Sequence, residues 1–288
     1  MNWILLSFLT AASEAAKDIL GKISLKHADA YIVAWAYRLF SLPFLLPFLL
    51  FIDIPPIYSM YWVALVVGGI LNVATSVLYM KAIEHSDLSI TVPMVTLTPM
   101  FLLITSPILV GEIPSITGVV GVLLIVVGSY TLNISDAKKG FWKPFKSLVT
   151  EKGPRYMMAV AFIWSVSSNF DKIGIKASSP LFWAITVNVF IAIAMIPIVI
   201  VKVKSNISQI FHKAKLLMPI GIFGALTLIF QMHAIELANV AYVISIKRVS
   251  VVLAVIAGFL IFKEKGFKSR LLGVVLMLMG VALISLYS

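Results

Sequence analysis

Cysteine is absent from the 288 residues, which excludes disulfides, cysteine-ligated metals and thiol nucleophiles and leaves the redox compartment unread. Charge is scarce as well: Asp, Glu, Lys and Arg make up 12% of the chain against 61% hydrophobic residues, and mean hydropathy is +1.05. So little polar surface cannot cover a soluble globule of this length. His27, His85, His212 and His233 fall at no ligand spacing such as i, i+4 on one helix, so neither a metal site nor a cofactor is expected. No Gly-Lys-Ser/Thr phosphate loop occurs, which argues against ATP-driven pumping, and no nucleophile and base pair points to an enzyme. The first apolar segment carries Glu14, Lys17 and Asp18 and has neither a basic start nor a small-residue cleavage site, so it reads as a span rather than a signal peptide.

What the chain has is apolar length. About 20 apolar residues cross a bilayer as helix, and ten such runs occur, at 3–22, 31–52, 60–81, 88–110, 116–133, 155–176, 181–202, 216–235, 240–262 and 269–287. The expected fold is therefore an all-α, multi-pass integral membrane protein. The long connection from Asn133 to Pro154 holds Lys138, Lys139, Lys143, Lys146 and Lys152, and Phe141 and Trp142 suggest a stretch lying at the membrane interface. The net charge of +11 does not signal nucleic acid, because 17 of the 23 Lys and Arg lie in the loops after spans 1, 3, 5, 7 and 9. The opposite face has only Lys172 and Lys176, and this count alone puts both termini outside the cytoplasm.

The two halves repeat. A shift of 152 residues lays Ala82-Ile83-Glu84 on Ala234-Ile235-Glu236, Glu112 on Glu264, Gly121 on Gly273 and Gly128 on Gly280. One residue more brings Asp18 and Gly21 onto Asp171 and Gly174. The chain thus divides into a first repeat, 1–133, a basic linker, 134–154, and a second repeat, 155–288. Five spans per repeat is an odd number, so the second copy enters the membrane from the other side and the repeats are inverted. Inverted repeats meeting around a midplane site are the architecture of alternating-access transporters, and no run here reads as a selectivity filter.

Within this frame, Lys247 and Arg248 interrupt an apolar span, where each charge costs roughly 2.5 to 3.5 kcal/mol even on insertion scales. Adjacent residues lie about 100° apart on a helix, so both can line a cavity only on a wide or locally unwound face. They suit a carboxylate or phosphate; internal pairing with Glu14, Asp18 or Asp171, or snorkelling, would also satisfy them. Their repeat equivalents, Val95 and Thr96, are uncharged. Glu14, Lys17, Asp18 and Gly21 share one helix face. Glu14 lies about 18 Å along span 1, where desolvation favours a protonated carboxyl that could carry protons; a structural pair with Lys17 is the alternative.

Asp171 and Lys172, with Asn169 before them, form a second polar cluster in span 6, unless that span ends near Gly174 and leaves them at the interface. Tyr79, Gln231 and Tyr242 are further candidates for lining the substrate cavity, as are Asn72, Thr98 and Asn188, although polar residues in spans also serve as interhelical hydrogen bonds. Glu112 and Glu264 stand just before spans 5 and 10, where a carboxylate can meet free N–H groups and the helix dipole. Gly121 with Gly128, and Gly273 with Gly280, recur at seven-residue spacing and fit close helix packing. Pro43, Pro47, Pro93, Pro99 and Pro107 can bend spans 2 and 4.

The order and duplication of these residues, namely Ala82, Ser86, Pro93, Pro99, Gly111-Glu112, Gly118, Gly121 and Gly128, with Ala234, Glu264, Gly273 and Gly280, resemble the drug/metabolite transporter superfamily. The likeness is to its ten-helix branch with duplicated EamA domains, and it covers nearly the whole chain. It implies a secondary transporter, and it implies cytoplasmic termini, against the loop charges. MNWILLSFLTAASEAAKDILGKIS is similar to the first helix of small multidrug resistance proteins, which would make Glu14 a proton carrier, with Asp18 beside it. IKRVSVV resembles the ninth helix of plastid phosphate translocators, which use a Lys-Arg pair to hold phosphate; their further lysine in span 4 falls near Val95 and is missing here. The expectation is a secondary transporter of a small polar, anionic metabolite in a prokaryotic cell membrane, with membrane lipid as its surroundings. A flippase for a phosphate-bearing lipid, or an exporter of amino acids or drugs, is the alternative, and the oligomeric state is open between monomer and homodimer.

Overall fold

The computed structural model describes residues 2–86, 88–133, 142–203, 209–254, 256 and 267–287. All regular structure among them is helical. In chain order the helices are α1 (Trp3–Ser24), α2 (Ala30–Leu45, followed by a 3₁₀ turn Leu46–Leu50), α3 (Ser59–His85), α4 (Leu88–Val95), α5 (Thr98–Val110), α6 (Ile116–Asn133), α7 (Lys143–Thr150) and α8 (Lys152–Lys176). There follow α9 (Pro180–Val203), α10 (Gln209–His212), α11 (Ala214–Leu237), α12 (Val240–Lys247), a helical stretch α13 over 250–254, and α14 (Phe267–Tyr287). Each expected span is met by helix, span 9 as far as it is described, with spans 4 and 9 each in two pieces. Among the described residues, five helices are long and apolar enough to cross a membrane: Ala30–Leu50, Ser59–Ala82, Pro93–Val110, Pro180–Val203 and Ala214–Leu237.

The surface is inverted relative to a water-soluble fold. Ile108 is 75% exposed and Leu272 63%, whereas Asn169, Asn188 and Ser245 are wholly buried. Lipid tails accept apolar side chains at no cost, so the polar ones turn inward and bond to backbone. Thr10 donates to the Leu6 carbonyl, Thr227 to Phe223 and Ser245 to Ala241, each one turn back along its own helix.

Two compact units emerge. Unit 1 comprises Met1–Val73 and Phe170–Leu237; unit 2 comprises Ala74–Asn169 and Ala238–Ser288. Each takes elements from both sequence repeats, so the compact units and the repeats are different divisions of the chain.

In unit 1, α2 packs on α9 and α11, and α1 on α11. Gly224 and Gly221 of α11 face Tyr37 and Phe40 of α2, where an added Cβ would lie 2.8 Å from the Tyr37 ring and 2.3 Å from the Phe40 backbone. Trp35 Nε1 donates to the Ala192 carbonyl at 2.8 Å, tying α2 to α9.

In unit 2, α6 packs on α14 through the repeated glycines. A Cβ built on Gly128 would lie 2.6 Å from the Gly273 carbonyl oxygen, and one on Gly121 2.8 Å from that of Gly280. Residue numbers rise along α6 as they fall along α14, so the two helices are antiparallel. Each contact joins a glycine to the repeat equivalent of the other glycine on its own helix. That is the signature of a two-fold axis between repeat equivalents, and it realises the inversion that the odd number of spans requires.

Candidate functional site

The break in span 4 follows from its prolines. Pro99 has no N–H to offer the Val95 carbonyl four residues back, and Thr98 Oγ1 donates to that carbonyl instead, at 2.7 Å. Thr96 Oγ1 bonds the Pro93 carbonyl at 2.7 Å, and the N–H groups of Thr96 and Leu97 reach only three residues back, in 3₁₀ fashion. The helix therefore stops at Val95 and restarts at Thr98.

Span 9 breaks at the matching place without proline. Helix α12 ends at Lys247, and Arg248 and Val249 form the interruption. The 152-residue shift carries Thr96 and Leu97 onto these two residues. The N–H groups of Arg248, Val249, Val251 and Val252 all bond three residues back, at 2.9 to 3.0 Å. A run of β-branched residues (Val243, Ile244, Ile246, Val249, Val251 and Val252) weakens the α-helix here.

Arg248 joins the two breaks: its Nη2 donates to Thr98 Oγ1 at 3.0 Å. The guanidinium thus meets the N-terminal residue of α5, where the helix dipole is positive. Half-helix ends of this kind face anionic groups in broken-helix transporters. Lys247 is the last residue of α12 and, like Arg248, is partly buried.

The other predicted residues of unit 2 sit as follows. Asn169 is buried and donates to Thr105 Oγ1 at 3.0 Å and to the Ser165 carbonyl at 2.8 Å. Tyr79 lies against Trp164, with ring centroids 6.1 Å apart. Tyr242 Oη accepts from the Ser115 N–H at 2.9 Å. Glu112 Oε2 accepts from the Val240 N–H at 2.7 Å. Its carboxylate therefore caps α12, in span 9, whereas the sequence suggested the adjacent span 5: the turn after Gly111, with φ of 71°, ends α5 beside that helix. Glu264 lies outside the described residues.

In unit 1, Glu14 Oε2 is 2.7 Å from Lys17 Nζ, and Asp18, with a side chain 57% exposed, is 3.7 Å from the same ammonium. Lys17 Nζ stands 5.1 Å from the Tyr37 ring centroid, and the guanidinium of Arg38 4.3 Å. Arg38 is the residue that sequence reasoning missed. The signal was present, a charge inside span 2, and the cost argument applied to Lys247 and Arg248 would have found it.

Asp171 and Lys172 are buried but engaged. Asp171 Oδ1 accepts from Trp183 Nε1 at 3.0 Å. Lys172 Nζ donates to the Ile235 carbonyl and, at 3.4 Å, to that of Glu236. These carbonyls close α11, so the ammonium caps a helix C-terminus. Lys172→Met should lower stability by about 1 to 2 kcal/mol, since it leaves two carbonyls without their donor. A thermal unfolding midpoint in detergent checks this, and an unchanged midpoint would overturn the capping role. Gln231 is buried on α11, one turn from Thr227. No group of His, Asp and Glu that could hold a metal ion occurs among the described residues.

The helical fold, with five described helices long and apolar enough to cross a membrane and paired breaks at equivalent places, is that of a multi-pass membrane protein. Residues 1–134 and 152–286 match the EamA-like transporter family. The chain belongs to that family. A solved crystal structure is similar with a TM-score of 0.75 over 99% of this chain and 96% of its own, at 17% identity, which is a likeness of fold. No curated protein matches the sequence.

Proposed function

We propose that this EamA-family transporter moves a small polar metabolite bearing a carboxylate or phosphate, by alternating access and without ATP. The observation that carries the proposal is the Arg248 to Thr98 hydrogen bond of 3.0 Å, which sets a guanidinium where spans 4 and 9 are both interrupted. In this reading Arg248 grips the acidic group of the substrate and Lys247 adds a second positive charge. The site is electrically one-sided, since the equivalents of the pair are Val95 and Thr96, and such a site disfavours cationic drugs. A prokaryotic cell membrane is the proposed setting.

The test is uptake into proteoliposomes of labelled organic acids, phosphorylated sugars, amino acids and quaternary amines, preceded by a thermal-shift screen of the same compounds, because a bound ligand stabilises the fold by mass action. Native transport of acids by both Lys247→Ala and Arg248→Ala would sink the reading.

Glu14 is the proposed proton carrier, with Lys17 and Asp18 as its charged neighbours. Protonating Glu14 and releasing Lys17 would be one event, so access to the proton is tied to movement of this pair. Glu14→Gln should flatten the pH dependence of uptake while retaining exchange of substrate for substrate. A pH profile superimposable on that of the native protein would refute the role.

A further inference from the structure

Arg38 sits eight residues into α2, about 12 Å from its start at roughly 1.5 Å per residue, and its residue surface is 8% exposed. A guanidinium at that depth is retained only with a compensating partner. Its contacts among the described residues are neutral. Nη1 is 3.4 Å from Asn188 Oδ1, Cζ lies over the Tyr37 ring, and buried Nε has no hydrogen-bond partner. No described carboxylate comes within ion-pair distance of it, and the nearby Lys17 is paired with Glu14.

The geometry holds the guanidinium in place. Asn188 Nδ2 donates back to the Arg38 carbonyl at 3.0 Å, which fixes the amide so that its oxygen faces the guanidinium. The scaffold itself does not require a cation here, because the repeat equivalent of Arg38 is Phe190. A planar donor group fixed at one edge, with Nε unused, suits a carboxylate or a phosphate.

We infer that Arg38, steadied by Asn188, is an anion-binding point in unit 1 that takes a carboxylate or phosphate group. The anion supplies the negative charge that the described residues do not place beside Arg38. It comes either from a free solute or from a lipid headgroup, and the chemistry is the same.

The test is a thermal-shift titration of the full chain in neutral detergent with inorganic phosphate and with acetate, at ionic strength held constant with chloride. The native protein should show a saturable rise in midpoint with one or both, and Arg38→Gln should weaken the apparent affinity at least ten-fold. Arg38→Lys, which keeps the charge and loses the planar fork, should weaken it several-fold, and serves if Arg38→Gln does not fold. A variant titrating within two-fold of the native protein overturns the proposal. In a second arm the protein is placed in nanodiscs of phosphatidylcholine with or without phosphatidylglycerol. Stabilisation by the anionic lipid that Arg38→Gln abolishes, without response to the free anions, assigns the point to a headgroup; no Arg38-dependent response in either arm overturns it. Arg38 and Arg248 belong to different units, so failure here leaves the Arg248 transport test standing, and the reverse also holds.

Discussion

Arg248→Gln should lower the kcat/KM for uptake of an acidic substrate by roughly 30- to 1000-fold, the equivalent of about 2 to 4 kcal/mol for losing one partner of a partly buried, hydrogen-bonded charge pair. Arg248→Lys should fall between, about ten-fold down, since it keeps the charge and loses the fork. Thr98→Val removes the acceptor that aims the guanidinium and should cost only a few-fold, mostly in KM, because the charge remains. Stability separates this role from a structural one. Removing a partly buried cation relieves its desolvation, so for a residue whose role is to grip the substrate the thermal midpoint of Arg248→Gln should hold or rise. A drop large enough to account for the lost uptake would instead make Arg248 a cross-link between the breaks of spans 4 and 9.

The spans were legible because apolar length is a direct demand of the bilayer, and the prolines of span 4 marked its interruption. The break at Arg248 and Val249 was not legible on its own, since no proline accompanies it; only its equivalence to Thr96 and Leu97 in span 4 reveals it in hindsight. Their adjacency left two ways for both Lys247 and Arg248 to line a cavity, a wide face or a locally unwound one, and did not choose between them. Arg38 was overlooked because a single charge barely lowers the hydropathy of a long run. Glu112 was placed beside a helix N-terminus, but that Oε2 reaches the start of α12 was not readable, because proximity in sequence does not report where the chain turns at Gly111. Asp171 and Lys172 looked like site residues by type, and only coordinates could show Trp183 and the end of α11 engaging them. Nor could the sequence show that each compact unit draws on both repeats, because repeats record descent along the chain and packing does not follow that order.

The glycine contacts of α6 and α14 allow a test of inversion that needs no substrate. Gly128→Ala places a methyl group 2.6 Å from the Gly273 carbonyl oxygen, where the obstacle is backbone and cannot rotate away, so it should cost about 2 to 3 kcal/mol. Gly21→Ala in α1 has no atom within 4 Å of the new methyl and should be neutral or stabilising by up to about 1 kcal/mol. The pattern among double variants is more telling than either value. Gly121 faces Gly280, and Gly128 faces Gly273, so Gly121→Ala with Gly280→Ala strains a single contact. Once the helices have moved apart for the first methyl the second costs less, and the pair should be less than additive. Gly121→Ala with Gly273→Ala joins repeat equivalents that lie at separate contacts, and should be close to additive. Parallel repeats would face equivalent with equivalent and reverse the two results. Thermal midpoints of the three single variants Gly121→Ala, Gly273→Ala and Gly280→Ala and of the two double variants in one detergent decide it; near-additivity for Gly121→Ala with Gly280→Ala would remove the antiparallel contact on which the inverted arrangement of unit 2 rests.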